Sequence, residues 1–187
     1  KLITDIPLDI KGLSGNNLVN TTISLIAGAD GTNITNLNMD YEDDGSATFA
    51  IIAVNDGVSD VIIADNTINA VTAPSWKYDM AISVYGAPEG SENIAITGNT
   101  ITMSGNAGGL YAIDVQNYDS NWDKGNGTTG LNISDNTITV TGTGMAEPIY
   151  VYYCKDVLVD GNKITSSSTG GDAYGIGTGS NSNITLT

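Results

Sequence analysis

The sequence predicts an all-β solenoid whose coils stack in parallel, and three observations support this. A phrase of eight or nine residues recurs along the chain, which is the signature of a repeat architecture. Within each copy, two apolar residues alternate with polar ones, the period-two pattern of a half-buried strand. A polar pair then leads to Asn-x-Ile, and Asn, Asp and Gly tolerate the left-handed backbone angles of a tight bend. Each copy therefore predicts two short strands joined by a bend.

The copies of this phrase occupy the second and third quarters of the chain and most of the last. They are Asp60–Ile68 (DVIIADNTI), Asn93–Ile101 (NIAITGNTI), Leu131–Ile138 (LNISDNTI), Asp156–Ile164 (DVLVDGNKI) and an opening fragment at Asn183–Thr187 (NITLT). Successive phrase asparagines, at positions 66, 99, 136 and 162, lie 33, 37 and 26 residues apart. The phrase is constant while the connections vary in length, as expected when equivalent strands stack and loops project.

These phrases resemble the right-handed parallel β-helix of the pectate-lyase-like superfamily, in which asparagines stack along one corner of successive coils. The residue pattern of the repeats is most similar to that of archaeal and bacterial adhesin-like surface proteins. The resemblance covers residues 50–187 and implies six or seven coils with a structural ladder of Asn66, Asn99, Asn136 and Asn162. The same fold carries lyases, hydrolases, tailspikes and non-catalytic adhesins, so the resemblance by itself leaves the function open.

Charge and composition narrow the classes of partner. The 187 residues include 21 Asp and Glu against 6 Lys, with no Arg and no His, for a net charge of -15. Nucleic acids and anionic membranes need clustered cations, so neither is expected as a partner. No apolar run is long enough to span a membrane. Cys154 is the single cysteine, so no internal disulfide is possible.

We expect one domain over residues 1–187, with irregular first coils or a cap over 1–48 and regular coils over 49–187. The chain begins without Met and ends inside a phrase, so we expect it to be part of a longer surface protein. In the irregular part, alternation predicts interior positions. These are Leu18, Ile23, Leu25, Ile26, Ile34, Leu37 and Met39.

An acidic turn, Tyr41–Ser46 (YEDDGS), supplies oxygen ligands of the kind that calcium prefers. Its spacing matches no calcium-loop motif, and a solvated turn explains the same residues. We therefore predict no cofactor, with calcium as the one alternative.

A second strand precedes each phrase and carries a predicted outward face. If Ile52 and Val54 and their equivalents in later coils point inward, the residues between them form columns on the outside. The inward set also includes Ile82, Val84, Ile113, Val115, Ile149 and Val151. One predicted column is Ala53, Ser83, Asp114 and Tyr150, and the next is Asn55, Tyr85, Gln116 and Tyr152.

Two insertions, Thr72–Asp79 and Gln116–Gly130, flank this face, and each contains a Trp, a Tyr, a Lys and an Asp. Loops on a rigid scaffold commonly carry function. Aromatic rings offer a flat surface to the C–H face of a sugar, while Asp, Asn and Gln bond its hydroxyls. The sequence thus predicts a carbohydrate-binding groove, although the same rings could instead pin the loops to the coil. Its proposed residues are Trp76, Tyr78, Tyr85, Asp114, Gln116, Tyr118, Trp122, Asp123, Tyr150 and Tyr152.

An enzyme is the principal alternative. The resemblance implies that a lyase would use Arg or Lys near calcium held by carboxylates, and that a hydrolase would use clustered aspartates. Lys77 and Lys124 are the bases near the predicted face. Asp114 with Asp119 or Asp123 could form the carboxylate pair of a hydrolase, but no spacing requires it. We therefore predict no catalytic residues.

The function expected from the sequence is that of a non-catalytic, extracellular, adhesin-like module that binds cell-surface glycans or surface proteins. The alternatives are a polysaccharide lyase or glycoside hydrolase and a purely structural spacer.

Overall fold

The computed structural model describes residues 1–43, 50–86, 88–117 and 127–187. Within these ranges the regular secondary structure consists of strands, with no helix. The strands form three sheets, and the pairings within each sheet are parallel. The prediction of an all-β chain with parallel strands is therefore confirmed.

Each sheet takes its strands from positions spread along the whole chain. The first sheet contains Leu2–Thr4, Ile23–Leu25, Ala50–Val54, Tyr78–Tyr85, Gly109–Gln116, Met145–Ala146, Ile149–Tyr152 and Ile176–Gly179. The second contains Asp9–Lys11, Asn33–Thr35, Ile62–Ala64, Ser91–Glu92, Ala95–Thr97, Thr128–Ser134, Cys154–Asp160 and Ser182–Leu186. The third contains Leu18–Val19, Asn38–Glu42, Thr67–Thr72, Thr100–Gly105, Thr137–Gly142 and Lys163–Ser168.

The chain visits the sheets in a repeating order, and equivalent residues of successive visits pair with one another. Ile96, for example, pairs with Ile63 on one side and with Ile133 on the other. In the third sheet Ile101 pairs in the same way with Ile68. This is the arrangement of a β-helix-like solenoid, in which each repeat contacts its neighbours.

The core follows from the alternation within each phrase. Along Thr67–Thr72 every second residue is buried. Ile63, Ile68, Ile96 and Ile101 are all fully buried. Burying one such side chain is worth about 2 kcal/mol relative to leaving it exposed. The interior isoleucines therefore supply much of the stabilisation in a chain that has no disulfide.

The bend between the second and third sheets has the backbone geometry that the phrase predicts. The residue before each phrase asparagine has a positive φ, at 56° for Asp65, 65° for Gly98, 56° for Asp135 and 62° for Gly161. Asp, Asn and Gly are the residues that adopt this conformation at least cost. The bend then directs the following Asn side chain into the interior.

Hydrogen bonds connect the four phrase asparagines. The Nδ2 group of Asn66 donates to Oδ1 of Asn99 at 3.0 Å, and Asn99 donates to Asn136 in the same way at 3.0 Å. Asn136 in turn donates to Oδ1 of Asn162 at 2.9 Å. Asn66, Asn99 and Asn136 are each 1% exposed. These side chains thus satisfy buried backbone and amide groups that water cannot reach.

Before the first phrase, Leu37 occupies the place of the phrase asparagine. Thr35 pairs with Ala64 and Met39 with Ile68, so Leu37 aligns with Asn66. The Leu37 backbone N–H donates to Oδ1 of Asn66 at 2.9 Å. The series of bonded asparagines therefore begins at Asn66, because Leu37 can donate only through its backbone N–H.

Most interior positions predicted for the first 48 residues are buried, and one is not. Leu18 is half-buried. The buried positions are Ile23, Leu25, Ile34, Leu37 and Met39. Ile26, predicted to be interior, is 38% exposed. The prediction was wrong there because Leu25 and Ile26 are consecutive, and strict alternation sends only one of them inward.

Candidate ligand-binding groove

The two outward columns predicted for the first sheet are present in its register. Ser83 pairs with Asp114, which pairs with Tyr150. The neighbouring column aligns Tyr85, Gln116 and Tyr152 in the same way. The inward partners, from Ile52 and Val54 to Ile149 and Val151, are at most 1% exposed. The alternation that placed the columns is thus confirmed.

The alternation breaks in the strands Tyr78–Tyr85 and Gly109–Gln116. Ala81 and Ile82 are both fully buried although they are consecutive, and so are Ala112 and Ile113. Two successive inward residues reverse the facing of everything before them in the strand. As a result Tyr111, two residues before Ile113, lies on the outer side of the sheet rather than in the core.

Outward-facing residues on both sides of the break line one groove of about 400 Å³. That volume lies within the range of natural small-molecule sites, roughly 300–1,000 Å³. The described residues that line the groove are Tyr78, Met80, Ser83, Tyr85, Tyr111, Asp114, Gln116 and Tyr150. The groove therefore combines aromatic surface with hydrogen-bonding groups, which is the combination the sequence predicted.

Tyrosine rings form a continuous row across the groove. The ring centroid of Tyr111 lies 5.9 Å from that of Tyr78 and 5.9 Å from that of Tyr150, at interplanar angles of 64° and 57°. Tyr150 stacks on Tyr152 with centroids 5.8 Å apart. Such edge and offset contacts are the favoured geometries of aromatic pairs. The row holds the rings in place before any ligand arrives.

The tyrosine rings that line the groove differ in exposure, with one buried ring at its floor and two exposed rings. Tyr111 is 8% exposed and lies at the bottom, whereas Tyr78 is 52% and Tyr85 is 41% exposed. Gly109 makes the position of Tyr78 possible, because a Cβ at Gly109 would lie 2.5 Å from the Tyr78 ring. The two exposed rings are the ones that a ligand can reach from solvent.

Two carboxyl groups lie beside the floor. Asp114 is 5% exposed, and Gln116 Nε2 donates to both of its oxygens, at 2.9 and 3.1 Å. Glu147, 7% exposed, is held next to Tyr111 by its backbone N–H, which donates to the Leu110 carbonyl at 2.9 Å. Glu147 does not line the groove; its carboxyl group lies one strand beyond Tyr111, next to Gly177.

The pKa of Asp114 is raised to about 7, chiefly by burial, against the opposing effect of the Gln116 hydrogen bonds and with a smaller contribution from the nearby Glu147. Burial also raises the pKa of Glu147. The pKa of the Tyr111 hydroxyl is raised as well, first by burial and then by the two carboxylates. The charged form of each carboxyl is disfavoured because it is desolvated next to another acid.

The structure brings half of the predicted site together. Tyr78, Tyr85, Asp114, Gln116 and Tyr150 line the groove. Tyr152 lies at its edge through the stack on Tyr150. Trp76 does not line it and is 84% exposed, with the Lys77 ammonium 5.9 Å from its ring centroid. Tyr118, Trp122, Asp123, Asp119 and Lys124 lie outside the described residues.

Sequence reasoning missed Met80, Tyr111 and Glu147, for two reasons. Unbroken alternation places Met80 and Tyr111 in the core, and Glu147 precedes the strand that was considered. The signal that could have found them is the pair of adjacent apolar residues at equivalent positions, Ala81–Ile82 and Ala112–Ile113. Two neighbouring apolar residues in successive repeats indicate a break in alternation.

Within the described ranges, no group of three or more Asp, Glu, Cys or His residues is placed to hold a metal ion. Asp44, Gly45 and Ser46 of the acidic turn lie outside those ranges. The same ranges contain no helix with the length and apolarity needed to cross a membrane.

Comparison of the chain with protein-family models, with curated proteins and with solved structures found no match. The functional argument therefore rests on the groove itself.

Proposed function

We propose that the three sheets wind as one right-handed parallel β-helix of six or seven coils over residues 1–187, with an asparagine ladder at one corner. The parallel pairing of equivalent residues and the hydrogen bonds from Asn66 to Asn162 support this proposal. Strands of the first 48 residues pair with later ones, as Ile23 does with Ile52, which supports a single domain.

The proposed function is that of an extracellular, non-catalytic, adhesin-like module that binds carbohydrate in the groove, of the kind that the repeats resemble in the pectate-lyase-like superfamily. The observation that carries it is the groove itself, in which the exposed rings of Tyr78 and Tyr85 adjoin Asp114 and Gln116. A sugar offers an apolar C–H face to the rings and hydroxyls to the polar groups. Both requirements are met on one rigid sheet.

A glycan array probed with the 187-residue chain tests this function. We expect binding that falls at least about tenfold in a Tyr78→Ala, Tyr85→Ala double variant, as for truncation of aromatic anchors at binding sites. Trp76→Ala is the matched control, because it removes a more exposed ring that does not line the groove. Equal loss in both variants, or no binding to any glycan, would contradict the proposal and favour a spacer.

A glycoside hydrolase is the second candidate, and one observation favours it. The pKa of Asp114, raised to about 7, would let this carboxyl keep a proton for a leaving group near neutral pH. Such an enzyme would release reducing sugar from polysaccharides, and Asp114→Asn would abolish the release. Binding without any release, unchanged after long incubation, would favour the non-catalytic module.

A further inference from the structure

The polar lining of the groove is acidic and has no described cationic counterpart. Asp114 lines it, and Glu147 lies one strand beyond Tyr111; both are more than nine-tenths buried. None of the described lining residues is a lysine, and the chain has no arginine. With a net charge of -15, the whole molecule adds to the negative potential at this site.

The aromatic lining suits the same sign of charge. The face of a tyrosine ring is electron-rich and attracts an ammonium group within about 6 Å of its centroid. The rings of Tyr78, Tyr111 and Tyr150 contact one another, with centroids 5.9 Å apart, so an ammonium group can approach only from the open side of the groove. On that side the exposed rings of Tyr78 and Tyr85 adjoin the Asp114 carboxyl group.

The pKa values of Asp114 and Glu147 are both raised, as expected for carboxyl groups without a neighbouring positive charge among the described residues. The pKa of Asp114 is raised by burial and by Glu147, and that of Glu147 by burial. A cation bound beside Asp114 would stabilise its charged form and offset the cost of its desolvation. The burial of Asp114 next to exposed tyrosine rings is the geometric feature that such a charge would complement.

We propose that the groove selects sugars that carry a protonated amine, so that its ligand class is the amino sugars. The inference rests on the proposed carbohydrate binding and names the class of ligand for that same site. The tyrosine rings contact the sugar ring, Gln116 and Ser83 bond its hydroxyls, and the ammonium group lies next to Asp114. A bare metal ion fits less well, because it requires several converging oxygen ligands.

The test is isothermal titration calorimetry of the 187-residue chain with three oligosaccharides of equal length. These are an oligomer of glucosamine, its N-acetylated counterpart and a neutral glucose oligomer. Acetylation removes the positive charge from the same nitrogen and leaves the ring unchanged. We expect the glucosamine oligomer to bind at least about tenfold more tightly than either of the others, for one cation in a desolvated aromatic site.

Two charge variants separate groove binding from general attraction to an acidic protein. Asp114→Asn should abolish the preference for the amine, measured as the ratio of the dissociation constants of the glucosamine and glucose oligomers within each variant. Asp9→Asn is the control, because Asp9 is an exposed residue of the second sheet and its loss changes net charge equally. If both variants weaken glucosamine binding to the same extent, the attraction is non-specific and the inference is wrong.

The comparison of ligands also distinguishes the inference from the proposed function. Equal or tighter binding of the N-acetylated or neutral oligomer would overturn the inference and leave carbohydrate binding in place. If none of the three binds and the glycan array is also empty, both fail together.

The pH dependence supplies an independent measurement. The titratable groups around Asp114 are Glu147, Tyr78, Tyr111, Tyr150 and Cys154. Tyrosine and cysteine ordinarily ionise above about pH 8, and a sugar amine titrates near neutrality, so between about pH 4.5 and pH 6 the carboxyls change while the ligand keeps its ammonium charge. Binding of an ammonium favours the carboxylates, so affinity for the glucosamine oligomer should rise over that interval. A flat profile in the wild-type chain would overturn the inference.

Discussion

Replacing Asn99 by alanine is expected to destabilise the protein strongly at the bend between the second and third sheets. The Asn99 side chain makes four hydrogen bonds and is 1% exposed. Its Oδ1 accepts from the backbone N–H and from Nδ2 of Asn66, both at 3.0 Å. Its Nδ2 donates to the Ile63 carbonyl at 2.9 Å and to Oδ1 of Asn136 at 3.0 Å.

The magnitude follows from these four bonds. A buried hydrogen bond contributes about 1 kcal/mol net, and an orphaned buried donor such as the Asn66 N–H costs about 1–3 kcal/mol. We therefore expect Asn99→Ala to lower the free energy of unfolding by about 4 kcal/mol, which is a large share of the stability of a typical domain.

Asn162→Ala is the matched control. Asn162 also makes four bonds, accepting two from Asn136 and donating to the Ile133 and Asp160 carbonyls. Unlike Asn99, it is half-buried, so water can replace the lost partners. We expect this variant to cost only about 1 kcal/mol.

Urea unfolding monitored by circular dichroism measures both variants, with the midpoint compared at constant slope. The reasoning would be refuted if Asn99→Ala and Asn162→Ala shifted the midpoint equally. In that case the cost would come from the loss of an asparagine as such, and not from burial of its partners.

Three further predictions concern other buried groups. Burial raises the pKa of Asp79 to about 6, so the folded state holds a proton that the unfolded state releases near pH 4. The free energy of unfolding should therefore fall as pH rises from about 4 to 6. Asp79→Asn should remove up to about 3 kcal/mol of that loss, measured from urea midpoints at the two pH values. Burial also raises the pKa of the Cys154 thiol to about 12, so a thiol reagent at pH 8 should modify it only in denaturant, and rapid modification of the native protein would show that the site opens. Gly105 has a φ of 143°, and a Cβ there would lie 2.2 Å from the Thr72 carbonyl oxygen, so Gly105→Ala should destabilise the protein by at least about 2 kcal/mol. Gly15 has a φ of 84° and open space where its Cβ would lie, so Gly15→Ala should cost only about 1 kcal/mol. Equal melting temperatures of the two variants would contradict the steric argument.

Much of the groove could be predicted because side-chain facing in a strand has a period of two residues. Once Ile113 and Val115 are placed in the core, Asp114 and Gln116 must face outward, and equal repeats bring them beside Ser83 and Tyr85. The prediction failed for Tyr111 because it assumed that the alternation continues past Ile113. The break costs a local pairing: Met80 pairs with Tyr111 and Ile82 with Ile113, with no pair at Ala81 and Ala112. A pattern within a single repeat does not reveal this.

The part of the site that depended on loops was less predictable. Trp76 was placed in the groove because it lies in an insertion next to the correct strand, but the structure leaves its ring exposed outside the lining. A loop side chain is positioned by its own few contacts, without a neighbour in register to constrain it. For Trp122, in the second insertion, the placement stays a prediction.

The sequence by itself determined that this is an all-β chain of parallel, stacked strands, which residues of each phrase are buried, and where the tight bends lie. Those features are local and periodic, so every copy of the phrase contains the residue pattern that predicts them. Only the tertiary structure decided that Tyr111 forms the floor of a groove, that Asp114 and Glu147 lie near each other in a site of raised pKa, and that Trp76 is apart from it. These features depend on contacts between coils and on one break in alternation, and a pattern read along a single strand does not contain them.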